Sequence, residues 1–115
     1  MKIFVYGTLK RNGSNNEVLQ KSNARYLGDC LVNNFACVDT PLFPFLVKKK
    51  HHHILGEVFE LDDKYLSLLD EAEGYPQRHN RTTIETVYGR AFIYYLKKED
   101  HQISHKCGYV ESWLE

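Results

Sequence analysis

Two short stretches of this chain, one at its start and one past its middle, carry side chains suited to binding an anion and to moving a proton. The first is Ile3-Phe4-Val5-Tyr6-Gly7-Thr8-Leu9, an apolar run that stops on a glycine and a hydroxyl. A glycine directly after a buried strand lets the backbone turn sharply, and consecutive amides without a ladder partner form an anion-binding nest. A carboxylate is the natural guest of such amides. The residues alone equally allow a plain tight turn in which Thr8 caps the next segment.

The second stretch is Leu68 to Pro76, reading LLDEAEGYP. Asp70, Glu71 and Glu73 crowd the last turn of a helix, where the macrodipole is negative and cations are the usual choice. Asp70 and Glu73 are i, i+3 neighbours on one face, while Glu71 points roughly 100° away and is expected to be solvated. A carboxylate held there beside other acids has its charged form disfavoured, which suits a general acid or base near neutral pH. The spacing leaves Asp70 and Glu73 tied, and it leaves open a solvated acidic helix end. A third stretch, Lys48 to His53, reads KKKHHH. Adjacent strand residues alternate faces, so the three histidines do not readily close on one metal ion, and the lysines repel it. A solvated loop or strand end is expected there, with a short basic patch for an acidic partner as the minor alternative. With no ligand spacing and no nucleotide fingerprint, neither metal nor cofactor is expected.

Hydrophobic pattern gives the scaffold around these stretches. Residues 1–6 read as a strand and 15–22 as a short helix with Ser14 or Asn15 as its cap. RYLGDCLV (25–32), FACVDT (35–40), FPFLVKK (43–49) and HILGEVFEL (53–61) read as separate strands. At 62–74 the apolar period changes to 3 and 4, with Asp62 as N-cap and Gly74 just past the end, which predicts a helix. Residues 81–97 predict a hairpin around Tyr88-Gly89, and 108–115 a tail packed by Trp113 and Leu114. Many strands and one strong helix make a single α+β domain over 1–115, whose sheet is closed or curled to avoid free edges.

Fifteen Lys and Arg balance fifteen Asp and Glu, so no whole-molecule field draws the chain to nucleic acid or anionic lipid. The 43% hydrophobic and 26% charged composition is that of a globular domain rather than a disordered chain. Cys30, Cys37 and Cys107 are odd in number and lack C-x-x-C spacing, so they are expected to be reduced, structural thiols. No apolar run approaches the roughly 18 residues of a membrane span and no secretory signal is evident, so a cytoplasmic chain is expected, and a monomer is expected alongside the absence of metal and cofactor. The sequon Asn80-Arg81-Thr82 accordingly has no expected role as one.

Taken together, Val5-Tyr6-Gly7-Thr8-Leu9, Gly56-Glu57-Val58-Phe59, Leu61-Asp62, Leu69 to Pro76, Arg81 and the late strand AFIYYL resemble the γ-glutamyl cyclotransferase-like family, within it the small γ-glutamylamine cyclotransferase (AIG2-like) branch. The resemblance implies a compact β-barrel flanked by short helices. It implies cleavage of a γ-glutamyl amide by cyclisation of the glutamyl unit to 5-oxoproline, which frees the amine. The family glutamate matches Glu73, which the resemblance makes the acid/base, and Tyr6, Gly7, Thr8 and Leu9 match the substrate-binding loop. Tyr75, His79 and Arg81 fall at the implied cavity rim. One departure is His79, where the family usually carries a tyrosine two residues before the arginine; following a turn, His79 is expected at the surface, with a hydrogen bond to the substrate or a second titrating group at the site as the alternative. The expected partner is a small γ-glutamyl amine, whose amine the residues do not name. Two other classes compete: a non-catalytic binding module of the same fold, and a nucleic-acid-binding barrel using Lys48 to Lys50 with Phe43 and Phe45. The neutral net charge counts against the latter.

Overall fold

The apolar run at the start of the chain forms β1 (Lys2–Val5), whose alternation sends Ile3 and Val5 to one face and Phe4 and Tyr6 to the other, all buried. A strand buried on both faces belongs inside a sheet. In a computed structural model, which describes residues 1–38, 45–96 and 109–110, β1 pairs antiparallel with β3 (Phe45–Glu60) and parallel with β5 (Gly89–Leu96). β3 continues to β2 (Arg25–Val38), β2 to the two-residue β6 (Tyr109–Val110), and β5 to β4 (His79–Thr86). The order is β4-β5-β1-β3-β2-β6, a mixed six-stranded sheet.

The edge strands β4 and β6 do not pair with each other, so of the closed and curled forms the sheet takes the curled one. Its inner face rolls up: Phe35 on β2 meets Tyr95 on β5 at 5.9 Å between ring centroids, although two strands separate them in the sheet. Phe4, Val32, Ile54, Val58 and Ile93 fill this inner core. On the other face, Ile3, Val5 and Phe59 pack against Leu19 of α1 (Glu17–Lys21) and Leu69 of α2 (Leu66–Glu73). These two apolar layers place the end of α2 over the end of β1.

Several elements differ from the sequence reading. Residues 25–32 and 35–38 are one strand rather than two, and 45–49 and 53–60 are likewise one. β2 and β3 absorb their polar interruptions as register breaks, one between Tyr26 and Gly28 and one between Asn33 and Phe35, the second with Asn34 at φ +68°. Asparagine tolerates that left-handed backbone, so a turn-forming residue bulges the strand without ending it. The run Lys48 to His53 faces this second break: Lys48 pairs with Phe35 and His53 with Asn33, and the residues between bulge out with His51 at φ +68°. It is neither a loop nor a strand end. The cap of α1 is Asn16 rather than Ser14 or Asn15, and its side chain donates instead to the Leu9 carbonyl at 2.8 Å. Cys30 and Cys37 are buried; Phe43, Cys107, Trp113 and Leu114 lie outside the described residues.

Candidate active site

After Tyr6 the chain folds into turn upon turn: the Gly7 carbonyl accepts from Lys10 N–H at 3.0 Å, Lys10 O from Gly13 at 2.8 Å, and Thr8 O from Asn15 at 2.9 Å. Among the described residues no loop carbonyl accepts from the amides of Gly7, Thr8 or Leu9. The loop is tied down by a buried carboxylate. Glu57, on β3, accepts from the Arg11 backbone N–H at 2.7 Å and from its Nε at 3.2 Å, while the guanidinium lies 3.6 Å over the Tyr26 ring. Asn15 Nδ2 donates to Thr8 Oγ1 at 3.0 Å and closes the far side. The glycines with positive φ among the described residues are Gly28, Gly74 and Gly89. Gly7 is not one of them, so its part in the loop is its small size at the wall rather than a left-handed turn.

The opposite wall comes from α2. Asp62 caps the 3-10 turn Asp63–Tyr65 that leads into the helix, accepting from Lys64 N–H at 3.0 Å. The helix stops at Gly74, φ +69°, in the paired end-bonds of a Schellman motif, Gly74 N–H to Glu71 O at 3.2 Å and Tyr75 N–H to Asp70 O at 2.9 Å. The Gly74 carbonyl then accepts from Arg78 at 2.7 Å and His79 at 3.2 Å, which turns the chain straight into β4.

Between loop and helix end lies a cavity of about 640 Å³, walled by Tyr6, Gly7, Thr8 and Leu9 on one side and Glu73, Gly74 and His79 on the other. Burial pushes the Glu73 carboxyl up to about 7. Tyr6 is pushed well above the ordinary phenol range, first by burial and then by the nearby Glu73 charge, so it stays protonated. Asp70 is absent from the cavity wall: the Arg81 guanidinium grips both of its carboxylate oxygens, and Tyr94 Oη donates to it at 2.6 Å. The tie between Asp70 and Glu73 therefore ends in three dimensions, with Asp70 turned to the sheet and Glu73 to the cavity.

Of the three residues expected at the rim, His79 lies at the cavity and Tyr75 and Arg81 do not. His79 lines the cavity, but it is buried and stacked near Phe45 at 6.0 Å between centroids, not at the surface. Its strand begins under the helix end because the Gly74 carbonyl draws it in. Tyr75 and Arg81 do not reach the cavity; they pack on each other, guanidinium 4.4 Å over ring, behind α2. Glu71, exposed as expected, nevertheless borders the opening with Arg78, Ser14, Asn15 and Val18. Arg78 and Val18 carried no signal in the sequence, and Ser14 was read only as a helix cap. Glu57 did: a carboxylate in an otherwise apolar strand segment calls for a cation partner. Among the described residues no group of three His, Cys, Asp or Glu side chains is arranged to hold a metal ion, and no helix is long and apolar enough to cross a membrane.

A curled mixed sheet with a turn-rich loop facing an acidic helix end across one cavity has clear counterparts. Residues 3–114 match the family model described as gamma-glutamyl cyclotransferase, AIG2-like. A rat protein named gamma-glutamylaminecyclotransferase is 36% identical over 91 residues, 72% of this chain and 61% of its own length. An Escherichia coli protein, the gamma-glutamylcyclotransferase family protein YtfP, is 31% identical over 98 residues, 85% of this chain and 84% of its own. The crystal structure of a mouse AIG2-like protein superposes with a TM-score of 0.82 at 29% identity, covering 98% of this chain and 87% of that one. The chain belongs to the AIG2-like gamma-glutamyl cyclotransferase family.

Proposed function

We propose that the protein is a γ-glutamylamine cyclotransferase in which Glu73 is the general acid/base. On this reading the α-carboxylate of the glutamyl unit meets the amides of Gly7, Thr8 and Leu9, and its α-nitrogen faces Glu73. Ionised Glu73 takes a proton from the α-ammonium and the freed nitrogen attacks the γ-carbonyl; Glu73 gives its proton to the leaving nitrogen as that amide bond breaks, and the ring nitrogen sheds its second proton, which the departing amine takes up to leave as the ammonium. The products are 5-oxoproline and a free amine, with no water consumed. Because the attack is intramolecular, the cavity's main task is to hold the glutamyl chain folded with nitrogen near carbonyl.

The observation that carries the reading is one carboxyl, raised to about 7 by burial, across a 640 Å³ cavity from a row of loop amides. A base with a pKa near the working pH combines ionisation with proton affinity. The rat relative's name supports the amine class of substrate. The test is 5-oxoproline release from a panel of γ-glutamyl amines. With a substrate found, Glu73→Gln is expected to keep the fold and product binding and to lose about 10²-fold or more in turnover, the scale of a removed general base. Near wild-type cyclisation by the purified variant would remove Glu73 from the role.

A further inference from the structure

Arg81 and Tyr94 are direct cross-strand partners on β4 and β5, and both reach the same residue of α2. Arg81 engages both oxygens of Asp70 and lies between two rings, 4.4 Å from the centroid of Tyr75 and 5.3 Å from that of Phe92. Asp70 and Arg81 side chains are each only 21% exposed, and Tyr94 is 2% exposed. Both Arg81–Asp70 contacts come from one guanidinium nitrogen, Nη1, and the Tyr94 hydroxyl meets one of the same carboxylate oxygens, so Asp70 is held from two strands at once. Asp70 is three residues before Glu73, on the same helix face and about 5–6 Å away between Cβ atoms.

We propose that Arg81 and Asp70, completed by Tyr94, form a positioning unit for Glu73: they fix the last turn of α2 against the β4–β5 hairpin and cancel each other's charge beside the cavity carboxyl. None of the three touches the cavity. Were Asp70 bare, its charge would oppose ionisation of Glu73; were Arg81 bare, it would favour it. The other titratable groups around Glu73 are Tyr6 directly after β1, with Cys37 of β2 near it, and Glu71 on the same helix. Arg78 in the turn and His79 on β4 complete the surroundings.

The experiment is a carbon-detected NMR titration of the Glu73 carboxyl in wild type, Asp70→Asn, Arg81→Met and the double variant, each checked for a dispersed amide spectrum. Asp70→Asn leaves Arg81 uncancelled and is expected to lower the Glu73 midpoint by about one pH unit; Arg81→Met leaves Asp70 uncancelled and is expected to raise it by about as much. The double variant is expected to return near wild type. A purely structural pair would move both single variants in one direction or neither, and either result overturns the proposal. Should Arg81→Met not fold, Asp70→Asn decides: a midpoint unmoved or raised is fatal. Arg81→Lys, which keeps the charge but not the planar guanidinium packed on Tyr75 and Phe92, is expected to hold the midpoint while lowering turnover. That kinetic arm rests on the reading of Glu73 as the base, whereas the titration does not, so an active Glu73→Gln would leave the titration result standing.

Discussion

In the folded chain Glu73 is about half ionised at neutral pH, while in the unfolded chain it titrates near 4.5. A folded-state value raised above the unfolded one contributes stability that is present below pH 4.5 and is lost as the pH rises through about 7, because the unfolded chain ionises first. At 1.36 kcal/mol per pH unit the loss is on the order of 3 kcal/mol. Denaturant midpoints of wild type and Glu73→Gln at pH 5 and pH 8 are expected to diverge, with wild type losing stability at the higher pH and the Gln variant escaping that part of the loss. Equal slopes for the two proteins would mean the carboxyl is hydrated in the native state. The same midpoint is expected in catalysis as a rise of kcat/KM up to about pH 7, since the base must be ionised.

At the scale of elements, the loop after β1 and the end of α2 are held differently. The helix is set locally: Asp62 caps the 3-10 turn ahead of α2 rather than α2 itself, whose N-cap is Tyr65, and Gly74 ends it as expected, because caps act on their own neighbours. The loop is set from afar, by Glu57 on β3 holding Arg11. Gly7 stands at the cavity wall where the α-carboxylate is proposed to lie. Gly7→Val puts a branched side chain there without forcing a left-handed backbone, so substrate or 5-oxoproline affinity is expected to fall by tenfold or more, about 1.4 kcal/mol, with a smaller change in denaturant midpoint. Unchanged affinity in the folded variant would confine Gly7 to the turn and withdraw the carboxylate from this loop.

For the whole molecule the decisive contact is between strands rather than at the site. A Cβ on Gly56 would stand 2.4 Å from the Val5 carbonyl oxygen and 2.5 Å from Phe4 Cζ, inside the layer where β3 crosses β1. Backbone of a central strand cannot give way as a flexible side-chain tip can, so Gly56→Ala is expected to destabilise by about 3 kcal/mol, the upper range for overpacking. Because β1 delivers Tyr6 and Gly7 to the cavity, the surviving folded fraction is expected to bind product less tightly as well. A denaturant midpoint near wild type would show that the two strands can separate locally.

Local chemistry made much of the molecule readable in the linear chain. The alternation of Ile3 to Tyr6, the capped period of 62–74 and the Tyr88-Gly89 hairpin each depend on residues within a few positions of one another. Even the pair Asp70 and Glu73 follows from spacing on one helix face. Which of the two enters the cavity does not, because that choice is made by Arg81 and Tyr94, strand neighbours brought to Asp70 by the sheet. The same holds for the bulges at Asn34 and Lys49 to His52, where polar residues that locally favour a turn are kept in register by the long pairing of β2 with β3 on either side. Only the tertiary structure could bury His79 under the helix end, turn Arg81 away from the rim, and leave Glu73 as the carboxyl facing the loop. Each of these outcomes rests on desolvation and on partners supplied from elements distant in the chain, which spacing along one element does not encode.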